Sequence, residues 1–134
     1  MDFEARVSSV LNRNVKEFGK KFLFDGREDT CWNSEQGSPQ WVQINYGCEK
    51  EVAELQIMFQ GGFAGKNCWV EVKKSEDGEF EKASDFFPED TNKLQKFSFA
   101  DTPLPRGCVF KIVFSDSTDF FGRITIYQLK LVTA

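Results

Sequence analysis

LFDGREDTCWNSEQGSPQWVQINYG, residues 23–47, carries the clearest structural signals in this chain. It opens with the turn signal Asp25-Gly26, because glycine accepts a positive φ and the aspartate side chain accepts hydrogen bonds from its own backbone. An acidic, polar bend follows, and a Gly-Ser-Pro sequence at residues 37–39 breaks the chain a second time. Residues 41–46 then alternate between the two faces of an extended chain, which predicts a strand with one buried face.

Short alternating segments recur after this strand. In residues 52–60, Leu55, Ile57 and Phe59 occupy alternate positions, as expected for a strand that buries one face. Strands are predicted at residues 41–46, 52–60, 68–73, 80–85, 94–99, 109–114 and 123–132, with turns between them. Seven or eight short strands without a long helical pattern predict an all-β sandwich or barrel, formed as one domain over residues 1–134.

Some segments leave their structure open. Residues 7–14 fit a short helix and a strand equally well. Phe22 and Phe24 are expected to face the same way at the start of the central segment. In residues 109–114, the more apolar set, Phe110, Ile112 and Phe114, is expected in the core, with the opposite set as the alternative.

The composition suits a protein of one domain. A length of 134 residues is ordinary for a domain, and fifteen phenylalanines and three tryptophans can fill its core. No apolar run approaches the roughly 20 residues of a membrane span, and the first six residues lack the features of a signal peptide. The four cysteines are scattered, with no histidine to complete a zinc site, although their even number also allows a disulfide pair. We therefore expect an intracellular protein.

The charge pattern argues against direct nucleic-acid binding. The formal net charge is −4, and most basic residues are dispersed among acids, whereas nucleic-acid binders cluster theirs. The one basic concentration consists of Arg13, Lys16, Lys20 and Lys21, and Glu17 interrupts it. We interpret it as a solvated face rather than a phosphate site.

The sequence offers little catalytic chemistry. Without a histidine, the usual triad base and the commonest metal ligand are missing. There is no G-x-S-x-G elbow and no phosphate-binding loop. The acidic pairs at residues 28–29 and 89–90 are interpreted as solvated loop acids rather than glycosidase carboxylates. We predict that the chain is not an enzyme.

The motifs of residues 23–47 resemble those of a known family. An LFDG turn, then DT-x-W-x-S, then PQWVQI ending in glycine is similar to the start of a discoidin domain, the coagulation-factor type C or galactose-binding-like family. The resemblance implies a jelly-roll β-sandwich. Secreted discoidin domains are commonly tied by a cysteine near each terminus, and because this chain has none there, we expect all four thiols to be reduced.

Later motifs resemble a small intracellular branch of this family. They are SSVLNRN at residues 8–14, FQGGF at 59–63, DFFPED at 85–90 and TDFFGR at 118–123. The resemblance implies that the protein partner is an orphan nuclear receptor. It also implies repression of the receptor's transactivation, by hindering its DNA binding, and a location in the nucleus, with the cytoplasm as a further compartment.

The family resemblance also implies a candidate structural calcium site. Many galactose-binding-like domains hold Ca²⁺ with oxygens from the Asp-Gly turn, the following bend and a late acidic side chain. The residues that match part of this pattern are Asp25, Glu28, Asp29 and Thr30. Two positions depart from it: Arg27 places a cation beside the site, and Gln128 stands where the last strand often supplies a glutamate. The candidate ligands are therefore Asp25, Thr30 and Gln128, and the alternative is a turn held by Asp25, which accepts hydrogen bonds from backbone N–H groups.

Three loops are the candidate partner-binding surface, because loops carry function in such folds. They span residues 61–65, 87–92 and 116–121 and are expected at one end of the sandwich. The candidate contact residues are Gln60, Phe63, Phe87, Asp90, Asp119 and Phe120. Phe63 and Phe120 either close the end of the core or stand exposed as anchors for a partner's pocket.

Two further functions stay open. A lectin-like module stacks an aromatic ring on a sugar and surrounds it with polar side chains, a set that Trp69, Asn67 and Gln60 could supply. An adaptor subunit of a larger complex would instead expose an apolar patch. A small-molecule or sugar ligand is thus an alternative to the protein partner, and it is not the favoured one.

Overall fold

A computed structural model describes residues 2–134. The described residues contain nine β-strands: β1 Glu4–Val7, β2 Trp32–Asn33, β3 Gln40–Lys50, β4 Val52–Phe59, β5 Gly65–Lys73, β6 Glu81–Phe86, β7 Leu94–Ser98, β8 Gly107–Ser117 and β9 Thr125–Thr133. Between β1 and β2 lie two 3-10 helices, Leu11–Arg13 and Lys20–Leu23, and one short α-helix, α1 Val15–Phe18. The predicted strands are confirmed, and β1 and β2 are additional.

The strands form two sheets. The larger sheet has the order β1-β3-β8-β5-β6, the smaller one has the order β2-β9-β4-β7, and every pairing is antiparallel. Two antiparallel sheets that bury their inner faces against each other make a β-sandwich. The predicted all-β class is confirmed.

The core lies between the sheets and follows the alternation of the sequence. Its fully buried side chains include Leu55, Ile57 and Phe59 of β4, Val70 and Val72 of β5, and Phe110, Ile112 and Phe114 of β8. The rings of Phe59 and Phe114 meet edge to face across the two sheets, 5.8 Å apart. Each fully buried side chain of this size contributes about 1.5–3 kcal/mol. The expected choice of Phe110, Ile112 and Phe114 as the inner face of β8 is confirmed.

The segment between β1 and β2 differs from the expectation for residues 7–14, which are neither one helix nor one strand. The strand ends at Val7, and Asn12 and Arg13 then adopt positive φ values in a 3-10 turn. The buried indole N–H of Trp32 donates to the carbonyl oxygen of Ser9 at 2.9 Å. This bond ties the segment to the smaller sheet, so its position depends on a residue far along the chain.

The expectation that Phe22 and Phe24 face the same way is wrong. Residues 20–23 form a 3-10 helix, in which the side-chain period is about three rather than two. Leu23 is the buried residue, and both phenylalanines are partly exposed.

Candidate functional site

The three candidate loops meet at one end of the sandwich, as expected. We call this surface the loop end and define it as residues 60–64, 87–93 and 118–124. The backbone N–H groups of Gly61 and Gly62 donate to Asn92 Oδ1 and Asp90 Oδ1 at 2.6 and 2.7 Å. A further bond joins the first loop to the third, from the N–H of Ala64 to Thr118 Oγ1 at 3.0 Å. Asp90 therefore links two loops of the loop end.

Asp119 and Arg123 fix the shape of the third loop. The Asp119 carboxylate accepts the backbone N–H and the Nε of Arg123, both at 3.0 Å, and its Nη2 at 3.3 Å. Only 11% of the Asp119 side chain is exposed. The guanidinium that donates to this carboxyl lowers its pKa below the usual value. A charged, hydrogen-bonded pair of this kind restrains the loop in one conformation.

The Arg123 guanidinium also contacts two aromatic rings. Its central carbon lies 5.1 Å from the ring centroid of Phe63 and 5.9 Å from that of Phe121. Phe63 is only partly exposed as a result, and it neither enters the core fully nor stands free. Such cation–π contacts hold the first and third loops together.

Phe120 is the most exposed large apolar side chain among the described residues. It is 93% exposed and packs edge to face on Phe121, which is 54% exposed, with 5.2 Å between ring centroids. Phe87 on the second loop is 72% exposed. Of the two alternatives, Phe120 therefore has the anchor-like position. The sequence prediction missed Phe121 and Arg123, although the consecutive phenylalanines beside a cation were the available signal.

Gln60 has an internal role at the loop end. Its backbone N–H donates to the carbonyl oxygen of Thr125 at 2.9 Å, and its side-chain oxygen accepts the hydroxyl of Tyr127 at 3.4 Å. These bonds join the end of β4 to β9, so Gln60 supports the loops from below.

The candidate sugar-binding side chains have separate partners. The indole of Trp69 donates to Glu71 at 2.8 Å, and Lys82 Nζ lies 4.6 Å from the centre of its ring. Gln60 bonds to Tyr127 instead. Because a cation already contacts the Trp69 ring, the geometry does not favour this ring as a sugar platform.

The Asp-Gly turn, which we call the DG loop (residues 25–30), is closed by its own side chains. Asp25 accepts the backbone N–H of Arg27 at 3.0 Å with one oxygen and the hydroxyl of Thr30 at 2.6 Å with the other. Arg27 donates twice to Asp29, at 2.8 and 2.7 Å, and the pKa of the Asp29 carboxyl is lowered by these bonds.

In this arrangement, the side chains of the DG loop do not fit a calcium ion. Ca²⁺ takes six to eight oxygens, whereas both Asp25 oxygens already accept protein donors and Arg27 places a cation in the loop. Residues 2–134 contain no group of three or more acidic, cysteine or histidine side chains that could hold a metal ion. Gln128 lies on β9, opposite Met58. The geometry matches the alternative of a turn held by Asp25.

The four cysteines are free thiols in different environments. Cys48 is exposed, whereas Cys68 is fully buried, and burial raises the pKa of its thiol to about 12. Within residues 2–134, no helix is both long and apolar enough to cross a membrane.

Comparison with known proteins places the chain in a family. A family model described as the F5/8 type C domain matches residues 4–109. A nuclear receptor 2C2-associated protein of Xenopus laevis is 53% identical over 128 residues, which cover 96% of this chain and 91% of that protein. The protein of the same name from Homo sapiens is 47% identical and covers 96% of this chain and 89% of its own length.

Solved structures agree on the fold. The F5/8 type C domain of a Bacteroides fragilis protein superposes with a TM-score of 0.81 at 14% identity, covering 96% of this chain and 89% of that one. The family 32 CBM from C. perfringens NanJ, solved in complex with galactose, gives a TM-score of 0.78 at 17% identity, covering 97% and 93%. The expected jelly-roll architecture is confirmed by these neighbours. Together with the sequence relatives, they establish that the chain belongs to the F5/8 type C, or discoidin, domain family.

Proposed function

We propose that this protein is a non-enzymatic binding module that associates with an orphan nuclear receptor through its loop end. The proposal draws on the relatives' name, nuclear receptor 2C2-associated protein, and on one observation in the structure: Phe120 is 93% exposed on a restrained loop. With no histidine in the chain and no metal cluster in residues 2–134, the described surface is suited to binding rather than to catalysis.

The loop end has the properties of a protein-binding hot spot. Phe120, Phe121 and Phe87 are each exposed at the loop end, and an aromatic ring buries about 150–250 Å² when it enters a partner's pocket. Because Asp119 and Arg123 already restrain the third loop, little conformational entropy is lost when it binds. Rigid aromatic anchors of this kind commonly dominate the affinity of an interface.

Charge gives a mechanism for repression. The chain carries a net charge of −4, and Glu89 and Asp90 are exposed beside Phe87 at the loop end. A DNA-binding domain presents a basic surface, which an acidic partner approaches readily and covers in competition with DNA. Binding there lowers the receptor's affinity for DNA and so represses its transactivation in the nucleus.

The test measures receptor–DNA affinity by fluorescence anisotropy at physiological salt, with and without the purified chain. We expect the chain to raise the receptor–DNA dissociation constant at least about fivefold. Phe120→Ser should abolish this effect, whereas Leu94→Ser, which removes a 40% exposed apolar side chain from β7, should retain it.

Direct association is measured separately by calorimetry with the same receptor. Phe120→Ser is expected to cost about 2 kcal/mol of binding free energy. Failure of the unmodified chain to bind the receptor would refute the association. Equal affinity of Phe120→Ser and the unmodified chain would refute the assignment to the loop end.

A further inference from the structure

A second concave surface lies beside β1, outside the loop end. It is a cavity of about 500 Å³, within the size range of protein binding sites. Its floor is apolar and includes Val7, Val10 and Val15. Val15, the first residue of α1, is 59% exposed, so an aliphatic side chain of the cavity lining faces solvent. We call this surface the basic groove because of the charges around it.

Four cations line the same cavity as the valines: Arg6, Lys16, Lys20 and Lys21. Within residues 2–134 none of the four forms an ion pair. All four are exposed, in a protein whose net charge is −4. Like charges that lie close together repel one another, and an anionic partner would relieve this repulsion.

The acid nearest in sequence does not neutralise the groove. Glu17 follows Lys16 directly on α1, and within residues 2–134 it forms no ion pair with Lys16, Lys20 or Lys21. Lys20 donates its ammonium to the backbone oxygen of Ala5, a bond that leaves its charge uncompensated. Lys21 lies over the ring of Phe22, a contact that positions the cation but does not cancel it.

The walls of the groove are held in place before any partner binds. The side chain of Asn14 accepts the backbone N–H of Glu17 at 3.3 Å and so caps α1. Gly19 lies so close to α1 that a Cβ there would be 2.5 Å from the carbonyl oxygen of Val15. The indole of Trp32 fixes Ser9 in the preceding turn. A preformed groove loses little entropy on binding.

We infer that the basic groove binds an acidic, amphipathic segment of a partner protein. Leucine or phenylalanine side chains of the segment cover Val10 and Val15, and its carboxylates approach Lys16 and Lys21. The groove complements such a segment, because its valines match the apolar side chains and its cations match the carboxylates. The inference is independent of the nuclear receptor contact at the loop end.

Other anionic partners match the groove less well. A nucleic acid would leave the valine floor covered by phosphates, and the lining offers no aromatic ring on which a base could stack. An anionic membrane would meet a concave surface on a protein of net negative charge.

The test uses a fluorescein-labelled peptide of about 12 residues that alternates aspartate or glutamate with leucine or phenylalanine. Its binding to the full chain is followed by anisotropy at physiological salt. The double substitution Lys16→Glu and Lys21→Glu should weaken binding at least about tenfold. Its matched control, Lys96→Glu with Lys130→Glu, changes the net charge equally at exposed sites elsewhere and should change the affinity less than about twofold.

A second variant and a second peptide examine the apolar half of the groove. Val15→Ser, at an exposed position, should weaken binding about threefold or more without unfolding the chain. A peptide with serine in place of every apolar residue should bind at least about tenfold more weakly. The inference would be overturned if the two charge-reversed variants lost equal affinity for the peptide. It would also be overturned if the serine peptide bound the unmodified chain as tightly as the original peptide. Tighter binding to duplex DNA or to phosphatidylserine vesicles would overturn it in favour of that ligand.

Discussion

Gly122 is the point of closest approach between two loops, and replacing it by alanine tests how the loop end is built. Its φ is +85°, and a Cβ there would lie 2.8 Å from the carbonyl carbon of Gly37 and 2.9 Å from Ser38 Oγ. The N–H of Gly37 also donates to the oxygen of Phe121 at 2.8 Å. Gly122→Ala must therefore push the β2–β3 connection away from the loop that carries the exposed phenylalanines.

Two effects destabilise Gly122→Ala, and a control variant separates them. A positive φ costs a non-glycine residue about 1–2 kcal/mol. Forcing a methyl group against backbone costs about a further 1–3 kcal/mol. Reduced freedom of the unfolded chain returns about 0.4–1 kcal/mol. Gly122→Ala should thus lower the free energy of unfolding by about 2–3 kcal/mol. At Gly62, φ is +91° and nothing lies within 4 Å of the Cβ position, so Gly62→Ala should cost only about 1 kcal/mol.

Urea denaturation of both variants, followed by tryptophan fluorescence, measures the two free energies of unfolding. Their difference isolates the contact with Gly37 and Ser38, because the backbone strain is nearly equal. If the two variants unfold within about 0.5 kcal/mol of each other, the close approach is not a constraint and the reasoning is refuted. Receptor binding by Gly122→Ala should fall as well, since the position of Phe120 depends on this loop.

Three further outcomes follow from the site. Asp119→Asn should reduce stability by about 1–2 kcal/mol at neutral pH. The pKa of Asp119 is lower in the native state than its ordinary value of 3.8. Its contribution to the free energy of unfolding is therefore complete above pH 3.8 and is lost as the pH falls through the native pKa. A stability difference between the unmodified chain and Asp119→Asn that grows in acid would contradict this. Iodoacetamide should label exposed Cys48 in the native protein and reach Cys68 only after unfolding, as mass spectrometry would show; native labelling of Cys68 would disprove its burial. Millimolar Ca²⁺ should leave the thermal midpoint unchanged, because the DG loop oxygens already accept protein donors; a rise reversed by a chelator would establish a bound ion.

The strands were predictable wherever alternate burial dominates. Leu55, Ile57 and Phe59 are apolar at every second position of β4, and all three are fully buried. This pattern is local, because a strand with one buried face has apolar residues at every second position of its sequence. The fold class followed from repetition of the same signal.

The predictions failed where long-range contacts decide the conformation. Leu23, rather than Phe22 and Phe24, enters the core because residues 20–23 coil into a 3-10 helix beneath β9. No period of two or 3.6 is visible in four residues, so the sequence alone does not favour that helix.

The candidate site was predictable in outline only. The positions of the three loops followed from the glycines, prolines and acids that interrupt the strands. The contacts of Arg123 with Phe63 and Phe121 did not follow, because they join residues that only the completed sandwich brings together. The exposure of Phe120 likewise depends on the shape that Asp119 gives to its loop.

The two chain ends have a practical consequence for orientation. Phe3 and Thr133 line one cavity, and the N–H of Ala134 donates to the carbonyl oxygen of Glu51, at the start of β4. The far end of that strand leads into the loop end, where the exposed phenylalanines lie on the neighbouring loops. A fluorophore, bead or fusion partner joined at either terminus therefore leaves the loop end accessible. Two such groups on one molecule would be attached close to each other.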